Sequence, residues 1–246
     1  TSSFTFAPLG LADGIYYLDY NAGDVLGNIE AVKRSTVALD NTPPATAAEL
    51  GGTAGANGWH VSPVKVMLVS TDALSGVKAV YYSLDSSTFA LYASPFTESY
   101  EGIHTVKYYA VDKAGNVEPA GKAEFRIDTA APAVGYALAP PANAAGWNNS
   151  AVSAVFTGTD AVSGVEACSS SDIAAEEAGQ KIAGWCRDVA GNIAYATATV
   201  NVDMTSPPVS VSQTPAQNAA GWNNTPVSVV FAGTDAVSGI AYCASA

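Results

Sequence analysis

Apolar residues in this chain fall on alternate positions, in short runs broken by glycine, proline, asparagine and aspartate. In the stretch VKVMLV, Val64, Val66 and Leu68 share one face of an extended strand, because side chains on a strand repeat every second residue. The same template returns at Val152, Ala154 and Phe156, and again at Val227, Val229 and Phe231. A second template, Val106, Tyr108 and Ala110, returns at Ile182, Gly184 and Cys186, and at Leu18, Tyr20 and Ala22. No stretch keeps the i, i+3, i+4, i+7 spacing of an amphipathic helix, and strong helix formers are scarce. The pattern therefore predicts an all-β chain built of half-buried strands.

The templates belong to a longer repeat. Three markers recur in order: a G-W pair at Trp59, Trp147 and Trp222; a T-D-x-x-S-G turn carrying Asp72, Asp160 and Asp235; and a D-x-x-G-N turn followed by a strand and a linker aspartate. Trp59 to Trp147 and Asp72 to Asp160 are both 88 residues apart, and Trp147 to Trp222 and Asp160 to Asp235 are both 75. Asp24 and Asp112, and the linker residues Asp40 and Asp128, also keep the spacing of 88. The expected organisation is the C-terminal half of a repeat at 1–43, a complete repeat at 44–131, a shorter complete repeat at 132–206, and the N-terminal part of a further repeat at 207–246. The shorter repeat lacks most of one hairpin between its middle strands. About seven short strands in a unit of this length predict an immunoglobulin-like β-sandwich. LDNTPP, IDTAAP and VDMTSPP are short, proline-stiffened linkers between such sandwiches.

Charge narrows the function. Ten Lys and Arg against 22 Asp and Glu give a net charge of −12, a sign that repels nucleic acid and anionic lipid headgroups. No apolar stretch approaches the roughly 20 residues needed to span a bilayer. No signal peptide is visible, and the chain reads as beginning inside a repeat. Three cysteines without a C-x-x-C pair, far from the two histidines, do not suggest zinc. G-x-S-x-G, H-E-x-x-H and phosphate-cradling glycine loops are all missing, and His60 and His104 occur in one repeat only. Glu176 and Glu177 read as a solvated face. The expectation is a protein that is not an enzyme.

GWNNSAVSAVFTGTDAVSGVEAC, CRDVAGN and VDMTSPP resemble the bacterial Ig-like repeats of large secreted and surface-anchored proteins, giant adhesins among them. GIHTVKYYAVDKAGNVE is also similar to a module named after a leptospiral outer-surface protein. The resemblance implies an extracellular or cell-surface location and a structural role, a stalk or spacer of an exported protein, with neighbouring repeats of the same chain as its first partners. A surface glycan or a host or cell-surface protein is the further partner class. A glycan-binding accessory module of a secreted carbohydrate-active enzyme is the alternative.

Two readings of the recurring aspartates stand side by side. In the first, each Asp accepts backbone N–H groups of its own turn while a glycine supplies the left-handed geometry. In the second, the two turns and the preceding linker meet at one end of each sandwich. That reading groups Asp40 with Asp72 and Asp112, Asp128 with Asp160 and Asp188, and Asp203 with Asp235 plus a partner beyond residue 246. Like charges so grouped call for a cation, and Ca²⁺ suits irregular oxygen sites. The resemblance implies the same, since similar adhesin modules hold calcium between domains on matching aspartates. Within the fold so implied, Cys168 and Cys186 lie on neighbouring strands and form a disulfide, while Cys243 repeats the position of Cys168. The once-per-repeat tryptophans Trp59, Trp147 and Trp222 are expected to pack in or at the edge of a core.

Overall fold

The computed structural model describes residues 11–244. All regular structure among them is β-strand, and the chain divides into two compact units, Thr1–Thr129 and Ala130–Ala246. The fold is a tandem of immunoglobulin-like β-sandwiches with short proline-containing linkers.

The first unit opens with an antiparallel hairpin, β1 (Gly14–Tyr20) and β2 (Lys33–Leu39). A full sandwich follows, made of β3 (Ala45–Gly51), β4 (Trp59–His60), β5 (Val64–Thr71), β6 (Val77–Leu84), β7 (Ala90–Leu91), β8 (Phe96–Glu98), β9 (Gly102–Asp112) and β10 (Gly121–Ile127). One sheet runs β3-β5-β8 and the other β4-β10-β9-β6-β7. Val64, Val66 and Leu68 of β5 meet Val106, Phe125 and Ile127 of the facing sheet in a closed core. The alternation read in the sequence is thus the inward face of β5.

The second unit repeats the plan with β11 (Ala133–Ala139), β12 (Val152–Thr159), β13 (Val165–Cys168), β14 (Ser170–Ile173), β15 (Glu177–Asp188) and β16 (Ile193–Val202). Its sheets are β11-β12-β14 and β13-β15-β16. The deleted hairpin accounts for the shorter repeat: β13 passes directly into β14, whereas the first sandwich inserts β7 before the matching β8. Val152, Ala154 and Phe156 pack on Ile182, Val200 and Val202. Both sandwiches carry a register shift directly after the T-D-x-x-S-G turn, between Val77 and Ala79 and between Val165 and Ala167. Such a shift bends the strand and increases its twist. A second hairpin, β17 (Val209–Thr214) and β18 (Ser228–Gly233), closes the second unit.

The three repeat tryptophans diverge. Trp59 is buried in β4, which pairs in parallel with β10, and Trp147 is half-buried. Trp222 is 74% exposed, beside a hairpin that pairs with no further strand among the described residues.

Candidate metal centre

In the first sandwich the T-D-x-x-S-G turn joins β5 to β6 and the D-x-x-G-N turn joins β9 to β10. Lys113 N–H donates to the Gly76 carbonyl at 3.0 Å, and Ala114 N–H to Ser75 Oγ at 3.3 Å, so the two turns lie side by side. The linker after β2 passes the same place. Ser75 N–H donates to Asp40 Oδ2 at 2.9 Å, and Asn116 Nδ2 donates to the Asp40 carbonyl at 2.9 Å. Asp40, Asp72 and Asp112 each place a carboxylate oxygen within 4.8 Å of the others.

Each carboxylate also ties its own turn. Asp72 Oδ1 accepts from Leu74 and Gly76 N–H, and Asp112 Oδ1 from Gly115 and Asn116 N–H. Asn116 Nδ2 reaches Asp112 Oδ2 at 2.7 Å. Gly76 and Gly115 sit at φ of 80° and 102°, which a side chain would oppose. Burial pushes the Asp112 carboxyl upward, but hydrogen bonds from Asn116, Gly115 and Ala114 outweigh it and hold the group below its ordinary range. The ion pairs among the described residues involve other carboxylates, those of Glu30, Asp19, Asp85, Glu124 and Glu166. Three hard oxygen donors with lone pairs to spare, in an irregular loop setting, fit a hard divalent cation better than a thiophilic or imidazole-seeking one.

In the second unit Asp160 and Asp188 likewise bring oxygens within 4.8 Å of each other. Asp160 Oδ1 accepts from Val162 and Gly164 N–H, and Asp188 Oδ1 from Gly191 and Asn192 N–H. Asp128, near the end of the first unit, donates its N–H to the His60 carbonyl at 3.0 Å. Asp203 and Asp235 meet through Ser238, whose N–H donates to Asp203 Oδ2 at 3.1 Å and to Asp235 Oδ1 at 2.9 Å. The Ser238 contact, opposed by burial, lowers the Asp203 pKa. Among the described residues no third carboxylate joins this pair within the reach found for Asp40, Asp72 and Asp112.

Sequence reasoning missed the groups that fasten the turns. Glu118 accepts from Thr46 N–H at 2.6 Å and from Ala110 N–H at 3.0 Å, tying β3 to β9 across the two sheets. Ser75 and Ser163 serve as acceptors for Ala114 and Ala190 N–H. Their recurrence inside T-D-x-x-S-G was a usable signal. Glu118 had none, because its partner Thr46 lies 72 residues away. Cys168 and Cys186 are joined in a disulfide between paired positions of β13 and β15, with Cα atoms 4.1 Å apart. Cys243 is free and exposed. No described helix is long and apolar enough to cross a membrane.

No protein-family model and no curated protein sequence matches the chain. Among solved structures, fibronectin(III)-like modules of Clostridium thermocellum CbhA align with 64% of this chain and 95% of that one, at 14% identity and a TM-score of 0.33. The tetra-tandem repeat in the extending region of a large adhesion protein aligns with 94% of this chain and 73% of that one, at 14% identity and a TM-score of 0.28.

Proposed function

We propose that this chain is a structural repeat region, a stalk or spacer of an exported bacterial protein of the adhesin-like Ig-repeat kind, whose linkers are fixed by calcium. The observation that carries the reading is the meeting of Asp40, on the linker, with Asp72 and Asp112, on two turns of the sandwich that follows. Asp40 already fastens the linker to the turn by accepting from Ser75 N–H, and its carboxylate adds a third hard oxygen donor beside those of Asp72 and Asp112. A cation there would draw the linker onto its sandwich and set the direction in which the chain enters. The role is mechanical and calls for no catalytic group. The disulfide agrees with export to an oxidising compartment.

Calcium titration tests the reading. Any ligand of the folded state adds RT ln(1 + [L]/Kd) to stability, about 2.7 kcal/mol at a hundredfold excess over Kd. Calorimetric titration with CaCl₂ should release heat, and melts in CaCl₂ should exceed melts in EGTA. Asp40→Asn and Asp72→Asn should each reduce both differences, leaving what the other acidic groups contribute. Superimposable melts with and without EGTA would remove calcium from the proposal.

One observation favours the glycan-binding alternative. Tyr81 and Tyr109 stack across β6 and β9 at 5.1 Å, with Phe89 edge-on to Tyr109 at 5.0 Å, on the sheet face opposite the core residues Val80 and Val106. Retention on a polysaccharide gel, lost in Tyr81→Ala, would favour that alternative over a passive spacer.

A further inference from the structure

The outward face of the β6-β9-β10 sheet is ordered in rows across its strands. Tyr81 of β6 lies opposite Tyr109 of β9. Two residues along β9, about 7 Å away, Lys107 lies opposite Lys122 of β10. The next row sets Thr105 opposite Glu124, and the last sets Ile103 opposite Arg126. Val106 and Ala110 of β9 are fully buried in the core, so the residues alternating with them face outward. Lys107, Lys122 and Arg126 are exposed, and Ile103 is 64% exposed. Past Lys107 the face continues into an open groove of about 520 Å³, between Ile103, Thr105 and the turn at residues 85–87. Asp85, which lines the groove, is already engaged by Thr105 N–H and the His104 ring.

The lysine pair is the anomaly of this face. Like charges directly opposite one another on a sheet are destabilising. The other repeats of the chain avoid them at the same two positions. β1 and β2 carry Asp19 opposite Arg34, joined by hydrogen bonds of 2.6 and 2.7 Å, and β15 and β16 carry Ala183 opposite Thr197. The module therefore folds without either lysine. Lys122 meets Glu124 at 3.0 Å, but no ion pair among the described residues involves Lys107. Three cations on one sheet face also stand out in a chain with ten Lys and Arg and a net charge of −12. A place where the sequence departs from the locally stable choice is a place shaped for something besides stability.

We propose that this face binds an acidic polysaccharide, its sugar rings against Tyr81 and Tyr109 and its carboxylate or sulfate groups on Lys107 and Lys122. The proposal rests on the glycan-binding reading of the tyrosine face and names the class of glycan. Tyr81 and Tyr109, stacked on one another, present a rigid edge that is apolar along the ring and polar at the hydroxyl, which suits a sugar. An anion seated between Lys107 and Lys122 turns their mutual repulsion into shared attraction. Duplex nucleic acid fits less well. Its charges, one per roughly 1.7 Å of axis, would spread over the acidic surface around this patch, whereas a polysaccharide carries its charges ring by ring.

The test is biolayer interferometry of the 246-residue chain on immobilised polygalacturonate, heparin, dextran and duplex DNA. EGTA is present, so that calcium cannot bridge a polymer to the aspartates. Polygalacturonate or heparin should bind, more tightly at low salt than at high, and dextran and DNA should not. Lys107→Ala should weaken binding roughly tenfold, the loss of one charged hydrogen bond. Lys107→Asp, which copies the Asp19–Arg34 arrangement, should abolish binding while raising the melting temperature, so the loss cannot be traced to unfolding. Lys65→Asp makes the same charge change on the other sheet and should leave binding within about twofold, because salt screens so distant a charge. Binding that Lys65→Asp loses as fully as Lys107→Asp overturns the proposal, since net charge alone would then be responsible. Duplex DNA held as tightly as heparin also overturns it, by making the face a general polyanion site. Dextran bound as well as the acidic polymers, and released only by Tyr81→Ala, overturns the acidic specificity and leaves the glycan reading standing. No binding to any of the three polysaccharides overturns both.

Discussion

His104 is buried in β9 with an acceptor at each ring nitrogen, Asp85 Oδ2 at 2.7 Å from Nδ1 and the Tyr100 carbonyl at 2.8 Å from Nε2. Only the imidazolium can donate to both. Burial alone would lower its pKa, but the bonds to Asp85 and Tyr100 and the charges of Asp85 and Glu98 raise it. A pKa raised on folding means that the protonated ring stabilises the fold. That contribution is fully present below the unfolded value of about 6.5 and is lost as pH rises through the higher folded value. Thermal melts of the first unit should therefore fall from pH 6 to pH 8.5, and His104→Gln should flatten that slope. An unchanged slope in the variant would mean that another group titrates. Asp112 makes the complementary residue-scale case. Asp112→Ala removes the acceptor of the Gly115 and Asn116 N–H groups, in a turn whose Lys113, Ala114 and Gly115 are exposed to water. The expected loss is about 1 kcal/mol, measured by denaturant unfolding in EGTA so that any cation effect is excluded.

At the scale of elements, the period-2 pattern made the inward faces of β5, β12, β9 and β15 legible before any coordinates, because burial on one face writes itself into each strand separately. The matching of sizes across the sandwich was not legible. Leu68 and Tyr108 occupy in the first sandwich the positions that Phe156 and Gly184 occupy in the second. Large and small have changed places between sheets, and neither strand alone reveals which residue will oppose it. Because a Cβ on Gly184 would collide with the Phe156 ring, Gly184→Ala should cost roughly 1–3 kcal/mol. The ring, not the glycine's backbone, is the cause, since φ at Gly184 is not among the positive values. Phe156→Leu added to Gly184→Ala should therefore recover part of the loss. Additive losses in that double-mutant cycle would refute the size-exchange account. The turns divide in the same way. Asp72 and Asp112 were readable from local motifs, while Glu118, which binds β3 to β9, depends on a long-range partner.

For the whole molecule, fixed spacings of 88 and 75 residues revealed the repeat without any matching family, because one module reused along a chain repeats its turn chemistry as well as its core. The two sandwiches nevertheless lock their second sheets differently. Cys168 pairs with Cys186 in the second unit, and the same register position in the first unit is held by Val80 opposite Ala110. A disulfide closing a loop of this length contributes about 3 kcal/mol, chiefly by restricting the unfolded chain, whereas a Val–Ala pair leaves that chain unrestricted. Reduction should therefore act on one unit only. Hydrogen exchange read by mass spectrometry should show faster exchange in β12, β15 and β16 after dithiothreitol treatment, with β5, β9 and β10 unchanged. Cys168→Ser/Cys186→Ser should reproduce the effect without reductant. Equal acceleration in both units would mean that the first sandwich draws its stability from the second, contrary to the closed core that Val64, Val66, Val106 and Ile127 build within it.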